Sequence, residues 1–263
     1  MTLSHKIVGN AMQLAVCQIA DGQTIYADAG KFLWKTVNVS IETHIASQAS
    51  AAGGGGAGGG LLGMAMNAGK RMLAGESIAF QYFTARGGAG LVSVAGTLPG
   101  EMRALELDGT KGWLAEKDSF VAAEGTVTND IAFSGLRQGL KGGEGFVLQR
   151  FGGVGTVLIG GAGNFIDINP AKYGGKIQVH TGCLVAFEDT LRYGVERVGA
   201  LNAQTIVTGL LGGNGFNLAT LEGDGNAILQ SMTIDSLAHA ITKHSHAGHD
   251  EKASNPLGSL FGG

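Results

Sequence analysis

The chain has little cysteine, little proline and no long apolar run. Cys17 and Cys183 are its only cysteines in 263 residues, too few for the disulfide framework of a small secreted domain. A reducing, cytoplasmic setting is therefore expected. Three prolines beside many glycines, with no Gly-X-Y period, exclude a collagen-like chain. No stretch approaches the roughly 18 consecutive apolar residues of a spanning helix. The expected localisation is thus cytoplasmic, with any membrane contact peripheral and at the inner face. Charged residues make up 15 % of the chain and the net charge is −3, which argues against a nucleic-acid partner held by phosphate contacts. The opening "MTLSHKIVGNAMQLAVCQIADG" lacks an unbroken apolar segment behind a basic start, so no secretory signal is expected.

What the chain does have is glycine and apolar residues. Its 47 glycines are well over twice the usual share of about 7 %, and hydrophobic residues reach 44 %. Three stretches resemble one another: "GESIAFQYFTARGGAGLVSVAGTLPGEMRALEL" from Gly75, "GEGFVLQRFGGVGTVLIGGAGNFIDI" from Gly143 and "GNGFNLATLEGDGNAILQSM" from Gly213. Each reads strand, glycine-rich turn, strand. The first two continue into a second shared element, "GTKGWLAEKDSFVAAEGTV" and "YGGKIQVHTGCLVAFEDTL", in which Trp113 aligns with Ile177 and Phe120 with Leu184. The third lacks it, and the N-terminal "GQTIYADAGKFLWKTVNVSIET" supplies a match, with Ile25 at the Trp113 place and Phe32-Leu33 at Phe120-Val121. The expectation is an all-β single domain of three repeated units, a β-sandwich or double-stranded β-helix-like body with pseudo-threefold character. In it the N-terminal strands complete the last unit, and Phe32, Phe120 and Leu184 share a core position.

Ile234, Leu237, Ala238 and Ile241 fall at helical spacing behind Thr233 or Asp235 as cap, predicting a short C-terminal helix. The polar, glycine-rich residues 244–263 read as a mobile tail, so the repeated β domain is drawn over residues 1–243.

The combination of a Gly-rich insertion, "GKRMLAGESIAFQYFTA", "GLVSVAGTLPGEMRALELDG" and "FVAAEGTV" resembles the altered-inheritance-of-mitochondria family, from about Met12 to about Ile241. The resemblance implies a fold like that of the trp RNA-binding attenuation protein, with duplicated units. Eukaryotic members are associated with mitochondrial membranes, and the lack of a transit peptide suits a bacterial-type member. The family supplies no accepted catalytic residues.

The residues themselves offer little chemistry. A phosphate loop needs a distal glycine and a Ser or Thr after Gly-Lys, but Gly30-Lys31, Gly69-Lys70 and Gly175-Lys176 have neither. His5, His44 and His180 stand alone, and His180 reads as an exposed strand residue. Cys183, on an apolar strand, reads as a buried structural thiol. Ser77 lacks a Gly-x-Ser-x-Gly elbow. Glu76 and Glu144 recur at matching repeat positions, which a structural role explains without catalysis. The tail gathers His244, His246, His249 and Asp250 without the preorganised geometry of a metal centre. No cofactor, metal or catalytic group is expected, and the chain is read as a non-enzyme.

The strongest functional candidate lies in "GGGGAGGGLLGMAMNAGKRMLAGES", residues 53–77. Taken as a helix, residues 61–73 place Leu62, Ala65, Met66, Met72 and Leu73 on one face and Asn67, Lys70 and Arg71 on the other, with Met64 breaking the pattern; the candidate contact residues are Leu61, Leu62, Met66, Lys70, Arg71, Met72 and Leu73. Glycines before it would let it swing outward. A basic, Met/Leu-rich segment suits an anionic membrane surface or a protein partner, while packing on its own sheet or on a neighbouring subunit is the competing reading. The expected function is a self-associating scaffold or interaction protein, a homo-oligomer; the alternatives are a small-ligand or peptide-binding β module, and less so an enzyme with an unrecognised site.

Overall fold

Period-two alternation becomes strand structure throughout. The computed structural model describes residues 2–46, 78–134, 147–197 and 217–247. Its strands, in chain order, are β1 (Ser4–Val8), β2 (Leu14–Ile19), β3 (Thr24–Asp28), β4 (Phe32–Lys35), β5 (Val39–Ala46), β6 (Ile78–Ala85), β7 (Gly90–Ala95), β8 (Met102–Asp108), β9 (Trp113–Glu116), β10 (Phe120–Glu124), β11 (Val127–Ser134), β12 (Val147–Gly160), β13 (Phe165–Ile168), β14 (Lys176–His180), β15 (Leu184–Glu188), β16 (Arg192–Arg197), β17 (Asn217–Glu222) and β18 (Ala227–Gln230). One helix, α1 (Ile234–Ala247), follows.

The pairings fall into three sets. In the first, β2 and β4 flank β7 while β3 and β5 flank β6. In the second, β8 and β10 pair with the later half of β12 while β9 and β11 pair with its earlier half. In the third, β13 and β15 flank β18 while β14 and β16 flank β17. All of these pairs are antiparallel. Each set thus forms two short sheets, and consecutive sets are stitched together by β3–β10 and by β9–β15. The result is one eleven-stranded sheet, with a four-stranded sheet (β1-β2-β7-β4) and a three-stranded one (β14-β17-β16) beside it.

Two expectations are corrected. The N-terminal strands β3 and β4 pair with β6 and β7, so they belong to the first set and do not complete the last. In the third set β14 and β15, which precede β17 in the chain, pair with β17 and β18. The second stretch is also not two strands around a turn. β12 runs unbroken, and Gly153 (φ +91°) and Gly155 (φ +145°) redirect it so that its halves serve different sheets. Both φ values lie where L side chains are rarely accommodated.

The cores lie between the sheets. Ile25, Ala27, Phe83, Val92 and Val94 fill the first. Tyr26, Leu105, Phe120, Phe151, Val157 and Ile159 fill the second. Leu148, Leu184, Phe187, Ala219 and Leu221 fill the third. Phe120 and Leu184 are fully buried as expected, but Phe32 is only partly so. The three chain segments entering β2, β8 and β13 meet in single parallel bridges, Met12 to Gly100 and Gly100 to Gly163. A Cβ on Gly100 would stand 2.0 Å from the Gly161 carbonyl oxygen, so this approach admits no side chain.

Thr233 caps α1, its Oγ1 accepting from Ser236 N at 3.0 Å. The helix runs to Ala247, which takes His244 and His246 out of the expected tail: the i→i+4 ladder continues past Lys243 with no Pro or Gly to stop it before Gly248. Only Leu237 of its apolar face is partly buried; Ile234 and Ile241 are exposed.

Candidate functional site

Leu61, Leu62, Met66, Lys70, Arg71, Met72 and Leu73 all lie outside the described residues, as do Glu76, Ser77, Glu144, His249 and Asp250.

Two ionisable groups with opposed shifts, Lys31 and Glu116, lie where the first set meets the second. Lys31, in the β3–β4 turn, is buried and donates from Nζ to the Asp118 carbonyl at 2.6 Å. Burial lowers its pKa, against the pull of Asp28, Asp118 and Glu116. Glu116 closes a turn by accepting from Asp118 N at 2.7 Å. Its carboxyl is pushed up to about 8, first by burial and then by Asp118. A lysine and a carboxylate with opposed shifts could form an acid–base pair. Here both heads are taken up by backbone groups: Lys31 ties the first set to the second, and Glu116 holds its own turn. Glu124 is likewise consumed, accepting from Gln23 Nε2 at 3.1 Å and from Thr156 N at 2.7 Å. Glu188 does the same for Asn226 N at 3.1 Å and Nδ2 at 3.3 Å.

The other residues singled out from sequence are also in structural roles. His180 is exposed, its Nδ1 accepting from Gly182 N at 3.2 Å. His5 Nδ1 lies 2.9 Å from the Leu3 carbonyl oxygen. His44 packs edge-on against Tyr82, its ring 5.0 Å away. Cys17 is buried, with its thiol raised to about 12 by burial and by Glu124. Cys183 is half-buried rather than buried, because it ends the 3-10 turn Thr181–Cys183 before the strand dips inward; burial raises its thiol too. Neither is poised as a nucleophile. Among the described residues, no three His, Cys, Asp or Glu gather as metal ligands.

The feature that does stand out is a run of exposed apolar residues along β4, the turn after it and β5, which are edge strands of two different sheets. Leu33 is 49 % exposed, Trp34 44 % and Val37 99 %, and Ile41 follows on β5. Leu33 and Trp34 stand where β10 has Val121 and Ala122 and β15 has Val185 and Ala186, all fully buried. The shared register break sets this correspondence, falling between Phe32 and Trp34, between Phe120 and Ala122, and between Leu184 and Ala186. The difference has a physical cause. β10 is covered along its outer edge by β3, and β15 by β9, whereas β4 pairs with β7 alone among the described residues. β14 is the converse case: its counterparts β3 and β9 each have two neighbours, and among the described residues β14 has only β17. The sequence carried a signal for this strip, since "FLWK" places Trp and Lys where the matching "FVAA" has two alanines.

With the fold in view, the comparisons are specific. The model of the mitochondrial biogenesis AIM24 family matches residues 5–232. The chain belongs to this family. An X-ray crystal structure of a Streptococcus pyogenes protein is similar at a TM-score of 0.69 with 23 % identity, over 92 % of this chain and 99 % of that one. At that identity the likeness speaks for the fold alone. No curated protein matches the chain. Membership agrees with the all-β body and assigns no reaction, so the function of this member has to be argued from its own surface. No helix among the described residues is long and apolar enough to cross a membrane.

Proposed function

We propose that the protein is a self-associating β scaffold, built of three like β units and working through surfaces rather than through chemistry. The observation that carries this reading is the strip Leu33, Trp34, Val37 and Ile41. Contiguous exposed apolar residues mark interaction sites, and Trp is enriched where protein surfaces meet. The fate of the buried carboxylates supports it as well: Glu116, Glu124 and Glu188 each hold backbone amides in place.

Hydrogen exchange tests the reading. Backbone amides of residues 32–41 gain protection as protein concentration rises, while amides of buried strands such as β12 do not change. Equal exchange at all concentrations contradicts self-association through this strip. A peripheral membrane role is the second arm of the proposal, motivated by the Met/Leu-rich basic sequence of residues 61–73. Flotation with anionic vesicles supports that arm if the protein rises with the lipid, and removes it if the protein stays behind.

A further inference from the structure

The scaffold reading leaves open how copies would join, and the strand pairings supply an answer that rests on it. Consecutive sets within the chain are joined by one rule. The strand before the turn in one set (β3, β9) pairs antiparallel with the strand after the turn in the next (β10, β15). The rule operates twice and, among the described residues, leaves one unused strand of each kind, β14 in the third set and β4 in the first.

We infer that β14 of one copy pairs with β4 of the next, repeating between molecules the junction that joins sets within the molecule. The register follows from the two junctions already formed. Ala27 faces Ala122, Tyr26 faces Ala123 and Ile25 faces Glu124. Ala115 faces Ala186, Leu114 faces Phe187 and Trp113 faces Glu188. On the turn side, Asp28, Glu116 and His180 are equivalent, each accepting from the backbone N–H two residues on. On the other strand, the register break makes Trp34 equivalent to Ala122 and Ala186. Trp34 therefore faces Val179, Lys35 faces Gln178 and Thr36 faces Ile177. The pair is compatible in charge: Lys35 has no like charge directly opposite, and Lys176, diagonal to it, is paired with Glu196 at 3.0 Å. The pairing also covers Leu33 and Trp34, the residues whose counterparts are buried wherever the junction is already made. β4 carries the same register break as β10 and β15, and both of those strands pair along this edge, so the break leaves the edge of β4, with its half-exposed Leu and Trp, open as a template for another chain. Because the two surfaces differ, the contact is heterologous. It closes into a ring if the rotation allows and otherwise propagates as a filament.

A mixing experiment tests this. One variant blocks β4 with Leu33→Asp and Trp34→Asp, and the other blocks β14 with Gln178→Pro. Gln178→Lys, which sets like charges opposite Lys35, replaces Gln178→Pro if that variant melts lower than wild type. By native mass spectrometry, wild type assembles and each variant alone is a monomer of 26.8 kDa. An equimolar mixture of the two yields a dimer that grows no further, because the intact β14 of one variant and the intact β4 of the other are used in joining them and both outer edges are blocked. If the variants assemble like wild type, or if the mixture stays monomeric, the pairing is wrong while the scaffold reading stands. A wild type that is monomeric throughout removes both.

Discussion

Phe120 is the side chain on which the junction between the first two sets depends most. Its ring stacks on Phe151 at 5.0 Å and meets Tyr26 at 5.6 Å and Phe80 at 5.8 Å. Tyr26 and Phe80 come from the first set, Phe151 from the second. Phe120→Ala removes a fully buried ring and leaves a cavity walled by rigid rings, which collapses poorly. Truncations of this kind cost about 3–5 kcal/mol, and each lost aromatic pair is worth about 0.5–1.5 kcal/mol beyond its area. The upper half of that range is expected. Phe32→Ala provides the internal control, since Phe32 is partly buried and stacks on Phe83 alone, at 5.2 Å. With less area removed from water and one pair lost, about 1–2.5 kcal/mol is expected. Urea unfolding of wild type and both variants, with unchanged m-values, gives the comparison. A loss below about 1 kcal/mol for Phe120→Ala, or a larger loss for Phe32→Ala, would refute both the packing argument and the equivalence of the two positions.

Further outcomes follow from other sites. Glu116 holds its proton more tightly folded than unfolded, so its contribution to stability is complete below about pH 4.5 and is lost as pH rises through about 8. Glu116→Gln keeps the acceptor for Asp118 N and is expected to flatten the fall in Tm between pH 5 and 9; parallel curves would contradict it. Gly100→Ala forces a Cβ to 2.0 Å from the Gly161 oxygen and should cost about 3 kcal/mol or more, read by thermal melts against the neutral outcome of a spacious site. Deleting residues 1–40 removes β3, which pairs with both β6 and β10. Loss of a cooperative melt is expected, and an unchanged transition would show those strands to be dispensable.

Much of the architecture could be read from particular residues. "GKIQVHTG" alternates in sequence, and Ile177 and Val179 turn inward while Gln178 and His180 face water. Phe120 and Leu184, matched in sequence, are both buried and each opens a strand with a register break after it. The connectivity was less legible. A strand element has no local mark showing whether it pairs with the glycine-rich stretch before it or after it, and only the ladders assign β14 and β15 to β17 and β18. The break in β12 was hidden because glycines at a sharp turn and glycines at a bend within one strand look alike. The apolar strip was overlooked because Leu33 and Trp34 occupy positions that are core in the matching strands. Exposure there is decided by whether a neighbouring strand covers the edge, a property of the assembly of strands and not of "FLWK" itself.

Native mass spectrometry of the unmodified full chain over a range of micromolar concentrations tests self-association most directly. The scaffold account predicts species at integer multiples of the 26.8 kDa chain, with larger species gaining as concentration rises. A single 26.8 kDa species at every concentration would contradict it.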